Sequence, residues 1–169
     1  MTSFTVHGPF PVNFQSKKGG RTLDFKPFWS EGAAAQYLAG ECGCYIFAMR
    51  SGPGLQPIYV GKATRTFEQE TFNPTNKHKY HNGLSDYGKG TPVMYFVVHP
   101  NQRGRTNTTR IAKIEDFLIQ AGVAKNPNIQ NVRGASQPKW SIKGAVRGGA
   151  GKRTQAETQF SRLFGITAK

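Results

Sequence analysis

The chain has 169 residues, length for one domain with a modest apolar core and for little more. Twenty-three Lys and Arg against nine Asp and Glu leave a net charge of +14. That balance lies far outside the near-neutral profile of a typical metabolic enzyme and favours a polyanionic partner, nucleic acid first. Thirteen of the basic residues and three of the acidic ones lie from Asn101 onward, so the excess leans toward the C-terminal half. A ribosome-like structural protein or a membrane-surface binder would share the composition. No apolar run approaches the roughly 20 residues that span a bilayer, and Met1–Val12 carries no signal core, so the sequence reads as cytoplasmic.

Residues 1–40 read as an N-terminal extension of arm and short helix. Phe4–Phe14 alternates apolar residues but is interrupted by Pro9 and Pro11, which suits an edge strand or extended arm. Lys17, Lys18 and Arg21 make a small basic loop. Ser30 followed by Glu31 and a run of Ala, Gln, Tyr and Leu predicts an N-capped helix ending at Gly40. Cys42 and Cys44 stand too close for ordinary disulfide geometry and are too few for a structural zinc site, which leaves reduced buried thiols.

Two runs rich in β-branched and aromatic residues, Cys44–Met49 and Pro57–Val60, flank the turn chemistry of Ser51, Gly52, Pro53 and Gly54 and predict a hairpin. Alternation puts Tyr45, Phe47 and Met49 on one face and Cys44, Ile46 and Ala48 on the other. Thr64–Phe72 holds a short helical turn. Asn73 and Pro74 then suit the N-cap and first position of a helix stopped at Gly83, on which Lys77 shares a face with both Tyr80 and His81. Thr91–Val98 is the strongest strand, apolar enough to be central. A polar loop with Arg103 and Arg105 leads to the best helix, Thr109–Gly122.

On that helix Ile111, Ile114 and Leu118 form the buried stripe, and Glu115 falls beside them while Asp116 points away. A carboxylate there costs several kcal/mol, on the order of 3–5, unless it is paired, neutral or bound to a cation. It either salt-bridges a Lys at the edge of the core or holds a metal. The sequence offers no acidic cluster besides the adjacent and divergent Glu115 and Asp116, so the several converging carboxylates that a two-metal site needs are missing. In the tail, residues 133–169, Lys139, Trp140 and Lys143 precede a Gly-rich basic stretch that includes Arg147, followed by an amphipathic helix from Thr154 to Phe164. Basic residues around a Trp suit a phosphate-tracking surface, and Trp140 and Ile142 equally suit closing a core.

Gly43-Cys44-Tyr45 and Tyr59-Val60-Gly61, the latter followed at once by Lys62-Ala63, resemble the two half-motifs of the GIY-YIG nuclease family. The resemblance covers Gly40 to Asn131. It implies an α+β fold, a small three-stranded antiparallel sheet flanked by helices, with residues 41–132 as catalytic module and 133–169 as a basic C-terminal segment packing on or extending it. It further implies cleavage of DNA phosphodiester bonds with one Mg²⁺ or Mn²⁺ held by Glu115, and Asn131, or else Asn128, as the closing Asn. Where many members carry an Arg this register gives Gln69. An insertion like that of some restriction enzymes of the family would bring Lys77 there, with His81 four residues later. Arg65 and Tyr80 are the other candidates for phosphate and nucleophile chemistry.

Tyr45 would act as general base or orient the attacking water, with Tyr59 in the same site and Gly61 letting the backbone turn tightly. A free phenol near pKa 10 is a poor base, so this role needs Lys62, Lys77 or His81 to lower it. Lys62, Arg103, Arg105, Lys139, Lys143 and Arg147 are the nucleic-acid-binding candidates, with duplex DNA ahead of RNA, and double-strand cleavage takes either a homodimer or two sequential events. The rival expectation is a non-catalytic basic module on the same scaffold; a structural ribonucleoprotein component is the third.

Overall fold

The computed structural model describes residues 3–17, 20–100, 106–135, 142 and 151–163. The chain divides into two compact units, Met1–Ser136 and Gln137–Lys169. The first is α+β, built on a four-stranded antiparallel sheet with a separate two-stranded hairpin. In the second the described element is a helix, Gln155–Leu163.

Strands β1 (Thr5–Pro11), β4 (Gly43–Ser51), β5 (Gly54–Ala63) and β6 (Thr91–Val98) line up in the order β1-β6-β4-β5. The expected three-stranded sheet therefore gains a fourth strand. β1 pairs along the free side of β6, from Thr5 opposite Val98 to Pro11 opposite Val93, and its prolines are tolerated because it is an edge. The register slips between His7 and Phe10. β2 (Asn13–Lys17) and β3 (Gly20–Asp24) form the small hairpin where the sequence suggested a basic loop.

Between β3 and β4 the predicted helix from Ser30 to Gly40 does not form. Two 3-10 turns take its place, Lys26–Trp29 and Gln36–Leu38. The Ser30 hydroxyl donates back to Pro27 O instead of capping forward, and Gly32 at φ +77° breaks the helical path. The N–H groups of Ala33, Gln36, Leu38 and Ala39 accordingly bond three residues back, not four.

The β4–β5 hairpin closes through the two-residue loop Gly52-Pro53, with Gly52 at φ +56°, the positive φ that tight hairpin loops require. Phe47 pairs with Tyr59 and Ala48 with Pro57, so Ile58 is an extra residue on β5. Tyr45, Phe47, Met49 and Tyr59 face one side of the sheet, where α1 (Phe67–Thr71) and α2 (Pro74–Ser85) bury Phe67, Tyr80 and Leu84 against Phe96 and Phe28. Cys44, Ile46, Val60 and Val97 face the other side, covered by Ile111, Leu118, Ile119 and Val123 of α3 (Thr108–Lys125). Both cysteines are free and buried.

α2 starts as expected, with Asn73 Oδ1 accepting from the Asn76 N–H at 2.9 Å and Pro74 in the first turn. It does not stop at Gly83. That residue is buried inside the helix, packed so closely on Ile58 that a Cβ there would overlap its side chain, and the helix runs on to Ser85.

β5 is the second edge, and the chain following α3 covers it. Asn126 Nδ2 donates to Pro57 O at 2.7 Å and Gln130 N to Ile58 O at 2.7 Å. Asn131 then takes both backbone groups of Val60, accepting from its N–H at 2.9 Å and donating to its carbonyl at 2.7 Å. A side chain thus does what a neighbouring strand would do, and the edge is closed to pairing. Asn131→Ala is expected to lower stability by about 1–3 kcal/mol, because it strands two backbone groups beside the site. Urea denaturation reads this directly, and Asn131→Asp, which keeps only the acceptor, should fall between.

Candidate active site

The site is built across β5. On one face Tyr45 and Tyr59 stand with ring centroids 6.4 Å apart. Tyr45 pairs with Gly61 across the strands, and its ring lies directly over that glycine, where any Cβ would overlap Cζ, Cε2 and the hydroxyl. Gly61 has no positive φ; space alone requires it. The Tyr45 hydroxyl accepts from Asn76 Nδ2 at 2.7 Å and donates to the Glu70 carbonyl at 3.5 Å.

Tyr59 is the more open of the two at the rim of the core, 8% exposed against 2%. Lys79 supplies its cation, with Nζ 3.4 Å from the Tyr59 hydroxyl and 4.6 Å from the ring centroid. Burial, then the Glu115 carboxylate, pushes the Tyr59 phenol up to about 12. Burial also raises Tyr45 well above its ordinary value, with Tyr59 adding to it and the Asn76 bond opposing. The cations do not lower either phenol, which corrects the expected route to a phenolate base: at neutral pH both are hydrogen-bonding neutral hydroxyls.

That shift has a sign in stability. Tyr59 ionises near 10 when unfolded and near 12 when folded, so its contribution is whole below pH 10 and falls as pH rises from 10 to 12. From this residue alone, unfolding free energy is expected to drop by about 2 kcal/mol over that window, and Tyr59→Phe should flatten the alkaline limb of a Tm-versus-pH curve.

On the opposite face of the same strand, Lys62 Nζ donates to Glu115 Oε2 at 2.6 Å, the Glu115 side chain being 15% exposed and that of Lys62 37%. Cys44 is buried on this face and donates to Ile111 O at 3.4 Å; burial and then Glu115 raise its thiol to about 12. Among the described residues no three of His, Cys, Asp and Glu converge as a metal cluster, whereas a two-metal centre needs several carboxylates. A single hard cation fits better. Glu115 keeps one carboxylate oxygen without a partner among the described residues, and Mg²⁺ is satisfied by one carboxylate with waters and phosphate oxygens.

The other expected residues fall elsewhere. Lys77 turns toward Phe25, 5.6 Å from its ring, and His81 packs on the same ring, so neither joins the tyrosines. Tyr80 is fully enclosed, stacked on Phe47 at 4.5 Å with its hydroxyl donating to Thr71 O, out of reach of a polymer substrate. Arg65 is exposed and lies 3.7 Å from Glu70. Gln69 stands on α1, exposed, its N–H held by the Thr66 cap. Arg103, Arg105, Lys139, Trp140, Lys143 and Arg147 lie outside the described residues.

Three residues of the site escaped the sequence reading. Asn76 and Lys79 were legible in principle: once Tyr80 and Leu84 are taken as the inward stripe of α2, position 76 turns inward and 79 flanks it. Glu70 was not. Its carboxylate collects the N–H groups of Thr64 and Arg65 at 2.9 and 2.7 Å while its carbonyl accepts from Asn73 and Asn76, fixing the turn out of β5.

No family model, no curated protein and no solved structure matches this chain. No helix among the described residues is long and apolar enough to cross a membrane.

Proposed function

We propose that the chain is a metal-dependent endonuclease of the GIY-YIG kind that hydrolyses phosphodiester bonds in DNA through a single divalent cation. The observation that carries this reading is the grouping on one edge strand: Tyr45 and Tyr59 over Gly61 with Lys79 on one face, and the Lys62–Glu115 pair on the other. The +14 charge supplies the affinity for a phosphate backbone.

In this reading Glu115 holds the Mg²⁺ or Mn²⁺, which when bound supplies Lewis-acid stabilisation to the phosphate oxygens. Lys62 keeps the Glu115 carboxylate oriented. Lys79 neutralises charge developing on the phosphoryl group, a task the sequence assigned to Lys77 or Arg65. Tyr59, neutral, donates its proton in a hydrogen bond and accepts from Lys79, orienting water or a phosphate oxygen. Tyr45, whose hydroxyl is already committed to Asn76 and Glu70, positions α2 against β5.

The test is supercoiled plasmid incubated with the purified full chain in Mg²⁺, Mn²⁺ and EDTA. Nicking or linearisation confined to the metal lanes supports the nuclease. A folded protein that retards DNA on a gel and leaves plasmid intact under every metal overturns it. That outcome would favour a non-catalytic nucleic-acid-binding module, for which the 2.6 Å engagement of Glu115 by Lys62 is the supporting observation. A monomer with one site would nick; a double-strand break calls for a homodimer or two sequential events.

A further inference from the structure

At the other edge of the sheet lies a cavity with no part in this chemistry. It has a volume of about 180 Å³, walls from Phe10, Pro27, Phe28 and Ala35, and polar lining from Asn13 and Asp24. Three strand spacings of roughly 4.8 Å separate β1 from β5 and two separate it from β4, so β1 stands about 14 Å across the sheet from the strand of Tyr59 and about 10 Å from that of Tyr45. The cavity's size is below the roughly 300–1,000 Å³ of sites for drug-sized ligands and suits one flat ring system.

Its polar pair is prearranged. Asn13 and Asp24 are directly opposite in the β2–β3 hairpin, which places their Cβ atoms roughly 5 Å apart. The Asp24 carboxylate is oriented by accepting the Lys26 N–H at 3.1 Å through Oδ1, and Oδ2 has no partner among the described residues. Beside the cavity, the Tyr37 ring packs on Phe10 at 6.4 Å, stays 63% exposed, and has its hydroxyl held 3.0 Å from His7 Nδ1. An exposed, fixed aromatic next to an apolar slot is what an unstacked base requires.

From this arrangement we infer that the cavity binds a guanine base. A carboxylate accepts two adjacent N–H donors, and guanine presents such a pair, N1–H and the N2 amino group. The neighbouring Asn13 amide donates to O6. Adenine and cytosine offer a single amino donor on that edge, and uracil a single ring N–H. In a chain of +14 charge the base would arrive on a single strand or flipped from a duplex, or as a free guanine nucleotide; the chemistry is shared. The inference does not rest on cleavage.

The experiment is calorimetric titration of the full chain with guanosine, inosine, adenosine and cytidine. In parallel it is titrated with guanosine monophosphate and with a thymine oligonucleotide carrying one guanine. Guanosine is expected to bind at least about tenfold more tightly than inosine, which lacks the N2 donors, and than the other two. Asp24→Asn, which retains the acceptor for Lys26 N–H and should melt like the wild type, is expected to erase that preference. Tighter binding of the oligonucleotide than of the monophosphate assigns the base to nucleic acid, and equal binding assigns it to the free nucleotide. Equal affinity for all four nucleosides, binding of none of the three guanine ligands, or an unchanged preference in Asp24→Asn overturns the inference. Glu115→Ala is expected to bind guanosine as the wild type does, so failure here and failure of the nuclease are separate results.

Discussion

Glu115→Ala is expected to abolish metal-dependent nicking of supercoiled plasmid, lowering the rate by at least about 10³-fold while DNA retardation on a gel is retained. The asymmetry follows from the charges. Binding draws on many Lys and Arg contacts to phosphate, so removing one carboxylate leaves the affinity and its salt dependence close to wild type. Glu115 contributes little to the fold: its partner Lys62 is 37% exposed at the side chain and can turn to water, so the lost pair is worth roughly 0–1 kcal/mol. A dead, stable, DNA-binding variant is therefore the expected phenotype. Glu115→Gln, which still accepts from Lys62 but carries no charge, should be nearly as inactive. Cleavage by Glu115→Ala within tenfold of the wild type would sink the proposed role of this residue. Lys79→Ala in the same assay separates phosphate neutralisation from metal binding, since its loss should persist at saturating Mn²⁺.

Gly61→Ala is expected to be the most disruptive methyl that can be added to β5. The new Cβ would occupy the position of the Tyr45 ring, and Tyr45 cannot swing aside because its hydroxyl is tied to Asn76 and Glu70. Overpacking of this kind costs about 2–3 kcal/mol, or roughly 4–12 °C in Tm for a chain of this size. Displacement of Tyr45 would also release Asn76 and with it the first turn of α2, so cleavage should fall even well below the melting point. Gly88→Ala is the control. It stands in open space with nothing within 4 Å of its Cβ, and its Tm should be unchanged within about 2 °C. An equal effect at the two glycines would mean that backbone freedom, not the Tyr45 ring, is what Gly61 provides.

Much of the frame could be read directly from residue pattern. The hairpin around Gly52 and Pro53, the strand Thr91–Val98, the Asn73-Pro74 start of α2 and the long helix bearing Glu115 all form where period and turn chemistry place them. Each is a local signal, settled within ten or so residues. The failures are of two kinds. Ser30–Gly40 has helical composition but is held by Gly32 and by the Pro27–Ser30 bond in two tighter turns, a competition between backbone partners that composition does not report. The fourth strand is the other kind: Phe4–Phe14 reads as an edge, but which edge it joins is decided by the open side of β6, some 85 residues away.

The phase of α2 shows the same division inside the site. Lys77 and His81 share a face at four-residue spacing, and so do Asn76 and Lys79 at three. Nothing in the spacing says which pair meets the tyrosines. Packing decides it, because Tyr80 must fill the space against Phe47 and Phe72, and that rotation carries Lys79 to Tyr59 and Lys77 to Phe25. The sequence by itself determined the strongly basic charge, the tyrosine pair, the glycine under Tyr45 and the carboxylate on α3, because charge, alternation and helical period are properties of neighbours along the chain. Only the tertiary structure decided that the carboxylate is paired with Lys62, that burial holds both phenols neutral, and that Asn131 and Glu70 fix the edge strand. Those outcomes depend on which groups lose water together, and desolvation is a property of the assembled core.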